Sequence, residues 1–372
     1  MSRLRQDSGA QGREILLNPG PVTLTERVRN ALLRPDQCHR EQDFADLVLR
    51  IRHGLEAVYD ERPAGHDAVL VSGSGTCAVE AMVASLVPRE GTALVAANGV
   101  YGERIATMLA AQGKAHDVVL SDWLEPIDVA GVRAALEAKR FTAVIAVHHE
   151  TTTGRLNQLH ELGHTCRGAG VPLLLDAVSS FGAEAIDWTG WHLGAVAATA
   201  NKCLHGVPGL AFVMADRALL DARRGSSPSV YLDLQRYHAE QATGFSPFTP
   251  AVHACFALDE ALEELADEGG WQARGTLYRR RTGRIRQGLD AAGIHALLPA
   301  TESASMLTAF RLPAGVSYAT LHDRLKRAGY VIYAGQGRLA GGIFRIATMG
   351  AIDDSDLDRV IQEIVIATEP GR

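Results

Sequence analysis

The sequence has few cysteines, and their spacing does not suit a metal site or a disulfide framework. Its five cysteines lie far apart and form no Cys-x-x-Cys pair. An odd number of separated thiols argues against a zinc site and favours a reducing compartment. We therefore expect no bound metal, and a fold that is stabilised by its hydrophobic core.

Long apolar runs and an excess of basic residues are also missing. No apolar run reaches the length of about 18 residues that a membrane span needs, and residues 1–13 lack the apolar region of a signal peptide. Acidic residues outnumber basic ones by 43 to 37, which gives a net charge of −6 and argues against a dedicated nucleic-acid binder. We expect a cytoplasmic protein that binds neither nucleic acid nor membranes.

Aromatic residues are scarce at 6%, whereas glycine is frequent, with 37 in 372 residues. This combination is common in α/β enzymes, where tight turns join strands to helices. The length suggests two domains. We predict a flexible tail over residues 1–15, a large cofactor-binding domain over 16–250 and a smaller α+β domain over 251–372.

Short apolar segments alternate with helical patterns in the first of these domains. This alternation predicts a mostly parallel sheet with helices on both faces. The predicted strands are residues 67–71, 92–97, 115–120, 142–147, 171–175, 196–200 and 210–214, and the helices between them are 78–87, 101–112 and 129–139. In the C-terminal part we predict helices over 251–268, 272–292, 318–328 and 353–368, with strands over 305–311 and 342–347.

A glycine-rich turn follows the first predicted strand. Residues 72–76 read Ser-Gly-Ser-Gly-Thr and lead into a helix. Glycines let the backbone approach an anion, and a helix N-terminus offers free N–H groups. The spacing also matches a dinucleotide fingerprint, but that fingerprint needs an acid after the next strand, where this chain has Asn98. We therefore predict a phosphate cradle for a group other than NAD, with a plain tight turn as the alternative.

An aspartate and a lysine follow two later strands. Asp176 comes directly after an apolar strand, and Lys202 follows the next one. Taken singly, each could be a turn or surface residue. Taken together with the phosphate cradle, they supply the anchors that pyridoxal phosphate needs: a lysine for the Schiff base, an acid for the pyridine nitrogen and a phosphate site.

The chain resembles the class V aminotransferases of the fold-type I pyridoxal-phosphate superfamily over residues 16–368. The segments that carry the resemblance are 18–21 (Asn-Pro-Gly-Pro), 73–76 (Gly-Ser-Gly-Thr), 98–102 (Asn-Gly-Val-Tyr-Gly), 149–154 (His-Glu-Thr-Thr-Thr-Gly), 176–182 (Asp-Ala-Val-Ser-Ser-Phe-Gly), 200–203 (Ala-Asn-Lys-Cys) and 206–209 (Gly-Val-Pro-Gly). The threonine run and the last two segments point to the branch that transaminates 2-aminoethylphosphonate with pyruvate. The resemblance implies an α/β fold with a mostly parallel central sheet flanked by helices.

The resemblance also implies a role for each matching position. Lys202 would form the Schiff base, and Asp176 would pair with the pyridine nitrogen. Tyr101 and Val178 would cover the two faces of the ring. The other cofactor-binding positions are Thr152 at the phenolic oxygen, Ser74, Gly75 and Thr76 at the phosphate, Asn201 beside the lysine, and Thr249 at the phosphate of the partner subunit.

Three residues are predicted to bind the substrate. Arg345 lies on an apolar strand, and a buried arginine needs an anionic partner, so it would bind the substrate's acidic group. A second donor for phosphonate would be Arg40 or the backbone N–H near Gly20, although Arg40 could equally form a surface ion pair. His148 and His149 are adjacent on a strand and face opposite sides, so at most one of them faces the site.

The function implied by the resemblance is a ping-pong transamination in a homodimer with shared active sites. It would convert 2-aminoethylphosphonate and pyruvate to phosphonoacetaldehyde and L-alanine. One alternative is a class V transaminase that uses alanine or serine with glyoxylate or pyruvate. A second is a pyridoxal-phosphate lyase such as a desulfurase, although no cysteine lies in an obvious mobile loop. A third is a catalytically silent binding protein, against which Lys202 and Asp176 both argue.

Overall fold

The computed structural model describes residues 14–368. Most of the predicted flexible tail, residues 1–13, lies outside the described residues. The strands are β1 (Ile15–Leu16), β2 (His66–Gly73), β3 (Thr92–Ala97), β4 (Ala115–Leu120), β5 (Ala143–Val147), β6 (His149–Glu150), β7 (Arg155–Leu156), β8 (Leu173–Asp176), β9 (Leu193–Thr199), β10 (Gly209–Asp216), β11 (Leu307–Arg311), β12 (Tyr330–Val331), β13 (Tyr333–Ala334) and β14 (Ile343–Ala347). The helices are α1 (Glu26–Ala31), α2 (Gln42–Glu56), α3 (Gly75–Leu86), α4 (Val100–Ala111), α5 (Val129–Ala138), α6 (His160–Ala169), α7 (Arg217–Ala222), α8 (Leu234–Gln241), α9 (Val252–Asp267), α10 (Gly270–Asp290), α11 (Tyr318–Arg327) and α12 (Asp354–Thr368).

The central sheet has seven strands in the order β2-β10-β9-β8-β5-β3-β4. The strands β4, β3, β5, β8 and β9 pair in parallel, whereas β10 is antiparallel to both of its neighbours. Every residue of β5 and β9 is buried, as expected for strands with helices on both faces. The prediction of a mostly parallel sheet flanked by helices is therefore confirmed.

The predicted strands of this sheet match the observed ones closely, but one helix boundary differs in an important way. Helix α3 begins at Gly75 rather than at residue 78, with Ser74 as its N-cap residue. This start places Gly75 and Thr76 in the first turn of the helix. The glycine-rich turn is thus the helix N-terminus itself rather than a loop that precedes it.

The C-terminal part has its own three-stranded sheet, in the order β11-β14-β13, and its own hydrophobic core. That core also includes Ile15 and Leu17, because β1 pairs in parallel with β12. Helix α9 lies against α1 and α2. The division of the chain at residue 250 stays a prediction.

Within residues 14–368, every helix falls short of the length and apolar character that crossing a bilayer requires.

Candidate active site

The predicted catalytic residues meet at the carboxyl edge of the central sheet. Asp176 is the last residue of β8, and Lys202 follows the end of the neighbouring strand β9. The register pairs Asp176 with Ala197 of β9 and with Val147 of β5. This edge is where open α/β sheets bind their ligands.

The lysine side chain lies against the segment that precedes α1. The Lys202 amine donates a hydrogen bond to the carbonyl of Pro19. A Cβ on Gly20, whose φ is +125°, would lie 2.7 Å from Cδ of Lys202, so only glycine fits there. Desolvation lowers the pKa of the Lys202 amine to about 8. Gly20, which we predicted as a substrate-binding residue, packs directly on the lysine stem.

Asp176 is a buried carboxyl group with one polar contact. Its Oδ1 accepts a hydrogen bond of 3.0 Å from the backbone N–H of Val178. Burial raises its pKa to about 6, while the charges of Lys202 and Arg104 oppose this rise. Within residues 14–368 it forms no ion pair, although a carboxylate buried this deeply is stabilised by a cationic partner.

A small cavity brings several predicted cofactor residues together. Thr76, Tyr101, Asp176 and Val178 all line it. Gly75 lies beside it, where a Cβ would come within 2.5 Å of Cγ1 of Val178. The absence of a side chain at position 75 therefore lets Val178 reach the cavity wall.

The phosphate cradle is open at the start of α3. Ser74 and Thr76 are both exposed, and Ser74 makes no capping bond through its side chain to the described residues. The N–H groups of Gly75 and Thr76 are therefore available to an anion, whereas that of Cys77 donates to the carbonyl of Ser74 at 2.9 Å. Near the cradle, Oδ1 of Asn201 accepts a 2.8 Å hydrogen bond from the Thr199 hydroxyl, which holds the residue before Lys202.

Arg104 is a site residue that the sequence interpretation missed. It lines the same cavity, and its guanidinium carbon lies 4.7 Å from the centre of the Tyr101 ring. The two residues are three positions apart on α4, so they are neighbours on one helix face. This three-residue spacing from Tyr101 is the sequence feature from which Arg104 could have been predicted.

Glu150 is a second missed residue. Its carboxylate accepts a hydrogen bond of 2.6 Å from the hydroxyl of Thr152, the residue predicted for the phenolic oxygen of the cofactor. Glu150 is fully buried, and burial raises its pKa to about 7. The sequence feature that could have indicated Glu150 is that it is the only acidic residue within the segment 149–154.

Arg345 lies on β14 with its side chain buried. Its Nε donates to the carbonyl of Ala334 at 2.9 Å, and its Nη1 donates to the carbonyl of Thr151 at 2.8 Å. Burial lowers its pKa. It has no carboxylate ion pair in the described part of the chain, which leaves its charge available to an anionic ligand.

Neither Arg40 nor Thr249 lines the cavity beside Asp176. Arg40 is exposed and donates a 3.1 Å hydrogen bond to the carbonyl of Ser246. Thr249 is also exposed and lines a separate cleft with Ser72 and Tyr231. The segment that carries Thr249 therefore links Arg40 to the strand that leads into the phosphate cradle.

The two adjacent histidines are both buried, and they contact different groups. His148 lies 3.0 Å from the hydroxyl of Ser180, and His149 lies 3.4 Å from the carbonyl of Ser179. Burial lowers the pKa of each to about 3, so both are neutral near pH 7. Only for His149 do the charges of Lys202 and Arg345 contribute to this lowering.

The chain is similar to proteins of a known family. The family model described as Aminotransferase class-V matches residues 26–343. The chain therefore belongs to the class V aminotransferase family and is an aminotransferase.

Among its relatives is the 2-aminoethylphosphonate–pyruvate transaminase of Burkholderia thailandensis, which is 39% identical over 357 residues and covers 94% of this chain and 95% of its own length. The protein of the same name from Pseudomonas putida W619 is 36% identical with similar coverage, 94% and 95%. The alanine–glyoxylate aminotransferase of Nostoc sp. has a solved structure that aligns with a TM-score of 0.90 at 27% identity, covering 99% of this chain and 98% of its own.

Proposed function

We propose that this protein is a pyridoxal-phosphate-dependent aminotransferase that transfers the amino group of 2-aminoethylphosphonate to pyruvate. The products are phosphonoacetaldehyde and L-alanine. The observation that carries the proposal is the juxtaposition of Lys202 and Asp176 at the ends of neighbouring strands, beside a cavity lined by Tyr101 and Val178. The choice of substrates is supported by the names of the two relatives and by their coverage of almost the whole chain.

The residues of the site fit pyridoxal phosphate. A buried carboxylate without an ion pair suits a protonated pyridine nitrogen, and an uncapped helix N-terminus suits a phosphate. Under this proposal Ser74, Gly75 and Thr76 hold the phosphate. Pyridoxal phosphate, when bound, supplies an aldehyde that captures amines and a ring that accepts an electron pair.

Lys202 is the residue that binds this aldehyde and then moves protons. Its pKa of about 8 leaves a useful fraction of the amine neutral near pH 7, which an amine of ordinary pKa would lack. The Lys202 amine would hold the cofactor's aldehyde, and it would serve as the base for the proton on the substrate carbon that bears nitrogen. The carbonyl of Pro19 orients the amine for this transfer.

Arg345 binds the acidic group of each substrate. Its planar guanidinium pairs with either phosphonate or carboxylate oxygens, so one residue serves both halves of the reaction. Its two bonds to backbone carbonyls fix the guanidinium plane. Arg40 is the candidate for the extra phosphonate charge, and this role requires the surface formed by Arg40, Ser246 and Thr249 to face an active site.

A homodimer would meet that requirement. Thr249 and Tyr231 are exposed, and Val230 beside them is 68% exposed, which is unusual for a large apolar side chain. Tyr231 packs on Phe248 with ring centres 5.2 Å apart, so the two rings belong to one apolar surface. In the proposed dimer this surface is covered by the partner, and Thr249 contacts the phosphate in the partner's site. The cytoplasmic location stays an expectation from the sequence.

The substrate proposal is tested by comparing kcat/KM for 2-aminoethylphosphonate with the values for alanine, serine and β-alanine. Pyruvate and glyoxylate serve as acceptors. We expect 2-aminoethylphosphonate with pyruvate to be preferred by more than tenfold. If serine or alanine with glyoxylate is preferred instead, the substrate proposal is wrong, and the family and cofactor chemistry stand.

A further inference from the structure

The carboxylate of Glu150 connects two parts of the cofactor site. Its Oε1 accepts from the hydroxyl of Thr152 at 2.6 Å and from the backbone N–H of Thr152 at 3.2 Å. Its Oε2 accepts from the backbone N–H of Tyr101 at 3.1 Å. One buried side chain thus ties the residue predicted for the phenolic oxygen to the residue predicted to stack on the ring.

These contacts determine what Thr152 can offer to a ligand. A threonine hydroxyl has a single proton, and here that proton is donated to Glu150. The remaining face of the Thr152 oxygen therefore carries only lone pairs. Because both carboxylate oxygens already accept N–H bonds, the contacts favour the ionised form of Glu150 and hold the hydroxyl in this direction.

The charged groups near Glu150 have opposite effects on its ionisation. Asp176 on β8 raises the pKa of Glu150, while Glu150 interacts favourably with the cation of Arg345 on β14. Burial brings the pKa of Glu150 to about 7. The carboxylate is therefore the main form above neutral pH.

We propose that Glu150 is a positioning residue that sets the hydrogen-bonding role of Thr152: by taking its only proton, Glu150 makes Thr152 an acceptor toward the cofactor's phenolic oxygen. This inference rests on the proposed function, because it requires pyridoxal phosphate in the site. Its consequence is electronic. An acceptor beside the phenolic oxygen favours the protonated form of the bound chromophore, whereas a donor would favour the deprotonated form.

The test is a spectral titration of the holoenzyme between pH 6 and pH 10. The readout is the pH midpoint at which the visible band of the bound cofactor changes, and it requires no turnover. We expect Thr152→Val to lower this midpoint, because the acceptor is lost. If Thr152 is instead a donor, the same variant raises the midpoint and the inference is wrong.

A double-mutant cycle connects the effect to Glu150. Glu150→Ala frees the Thr152 hydroxyl to donate, so the midpoint should fall by about one to two pH units, equivalent to one hydrogen bond to a charged group. In the Thr152→Val background the same substitution should give a clearly smaller shift, because only the lost charge then contributes. Equal shifts in the two backgrounds would contradict the inference.

Two further variants test whether the shift in the midpoint could arise from a general structural change. Glu184 is another buried carboxylate, bound to the backbone N–H of Ser305 at 2.6 Å, and Glu184→Ala should leave the midpoint unchanged. Thr152→Ser keeps the hydroxyl and should restore the wild-type midpoint. A wild-type protein that develops no visible band with pyridoxal phosphate would contradict the proposed function as well, whereas a normal band with unresponsive variants would contradict this inference alone.

Discussion

The buried charge of Asp176 lowers the stability of the apoprotein, and we propose that it supports catalysis in the holoenzyme. Its pKa in the fold, about 6, lies above the ordinary value of 3.8, so stability is lost as pH rises between these values. Asp176→Asn removes this loss. We expect the apo variant to be more stable than apo wild type by up to about 3 kcal/mol above pH 6, with no difference below about pH 4.

In the holoenzyme we expect Asp176→Asn to lower activity, in contrast to its stabilising effect on the apoprotein. If Asp176 pairs with the pyridine nitrogen as proposed, kcat of this variant should fall on the order of 10³-fold or more, because a charge partner is lost from a dry site. Denaturant unfolding of the apo forms and steady-state kinetics of the holo forms measure the two effects. Near wild-type activity in Asp176→Asn would remove Asp176 from the catalytic role.

Arg345 and Arg40 are predicted to differ in which half-reaction they affect. Arg345→Gln should slow both the reaction with 2-aminoethylphosphonate and the reaction with pyruvate by roughly 10- to 150-fold each. This factor corresponds to the loss of one charge-assisted hydrogen bond, which contributes about 1.5–3 kcal/mol. Arg40→Ala should slow only the phosphonate half. Stopped-flow measurement of each half-reaction separates them, and an equal effect of Arg40→Ala on both halves would contradict its assignment to phosphonate.

At the residue level, a site residue could be predicted from the sequence where its residue type and its position after a strand together indicate one chemical role. Lys202 and Asp176 follow apolar strands, so both their position and their chemistry could be predicted. Arg104 and Glu150 were missed although each has a local contact, Arg104 with Tyr101 on the same helix and Glu150 with Thr152 two residues later. The hydrogen bond from the Tyr101 N–H to Glu150 could not be predicted, because it depends on the packing of α4 against β6.

The first turn of α3 is the element that we propose binds the phosphate of the cofactor. In Gly75→Ala the new Cβ would lie 2.5 Å from Cγ1 of Val178, so Val178, which lines the cavity beside Asp176, must shift. We expect a cofactor affinity at least tenfold weaker, measured by titration of the apoprotein with pyridoxal phosphate. The matched control is Gly283→Ala on α10, where a Cβ meets nothing within 4 Å; it should keep full affinity and gain about 0.4–1 kcal/mol in stability. Equal effects of the two substitutions on affinity would contradict the role of Gly75.

Among the elements, strands were predicted better than helices. Runs such as β3 are apolar after their first residue and end at clear turns, so their bounds followed from the pattern. Helix α2 was missed, although its buried residues Phe44, Leu47, Val48, Ile51 and Leu55 repeat at helical spacing. The position of β10 between β2 and β9 could not be predicted, because pairing between strands far apart in sequence leaves no local signal.

On the scale of the whole molecule, the start of the described chain connects the C-terminal part to the active site. Strand β1 pairs with β12, and a few residues later Pro19 and Gly20 contact Lys202. A displacement of the C-terminal part would therefore act on the lysine directly. No pattern in residues 15–20 predicted this pairing, because β1 is only two residues long.

The proposed dimer gives a prediction about complementation. If Thr249 contacts the phosphate in the partner's site, a hybrid of a Lys202→Ala subunit with a Thr249→Val subunit has one fully native site. We expect that site to bind pyridoxal phosphate with wild-type affinity, measured by titrating purified, differently tagged hybrids. Affinity equal to that of the Thr249→Val homodimer would show that the sites are not shared.

We propose that Lys202 carries the cofactor and moves the proton. Wild-type protein with pyridoxal phosphate should absorb at about 400 nm, as expected of a lysine-bound chromophore. Adding 2-aminoethylphosphonate without pyruvate should bleach this band, and adding pyruvate should restore it and release one alanine per site. Lys202→Ala should show neither the lysine-bound band nor steady-state turnover, because both the attachment point and the proton carrier are lost. Normal turnover in Lys202→Ala would contradict the account.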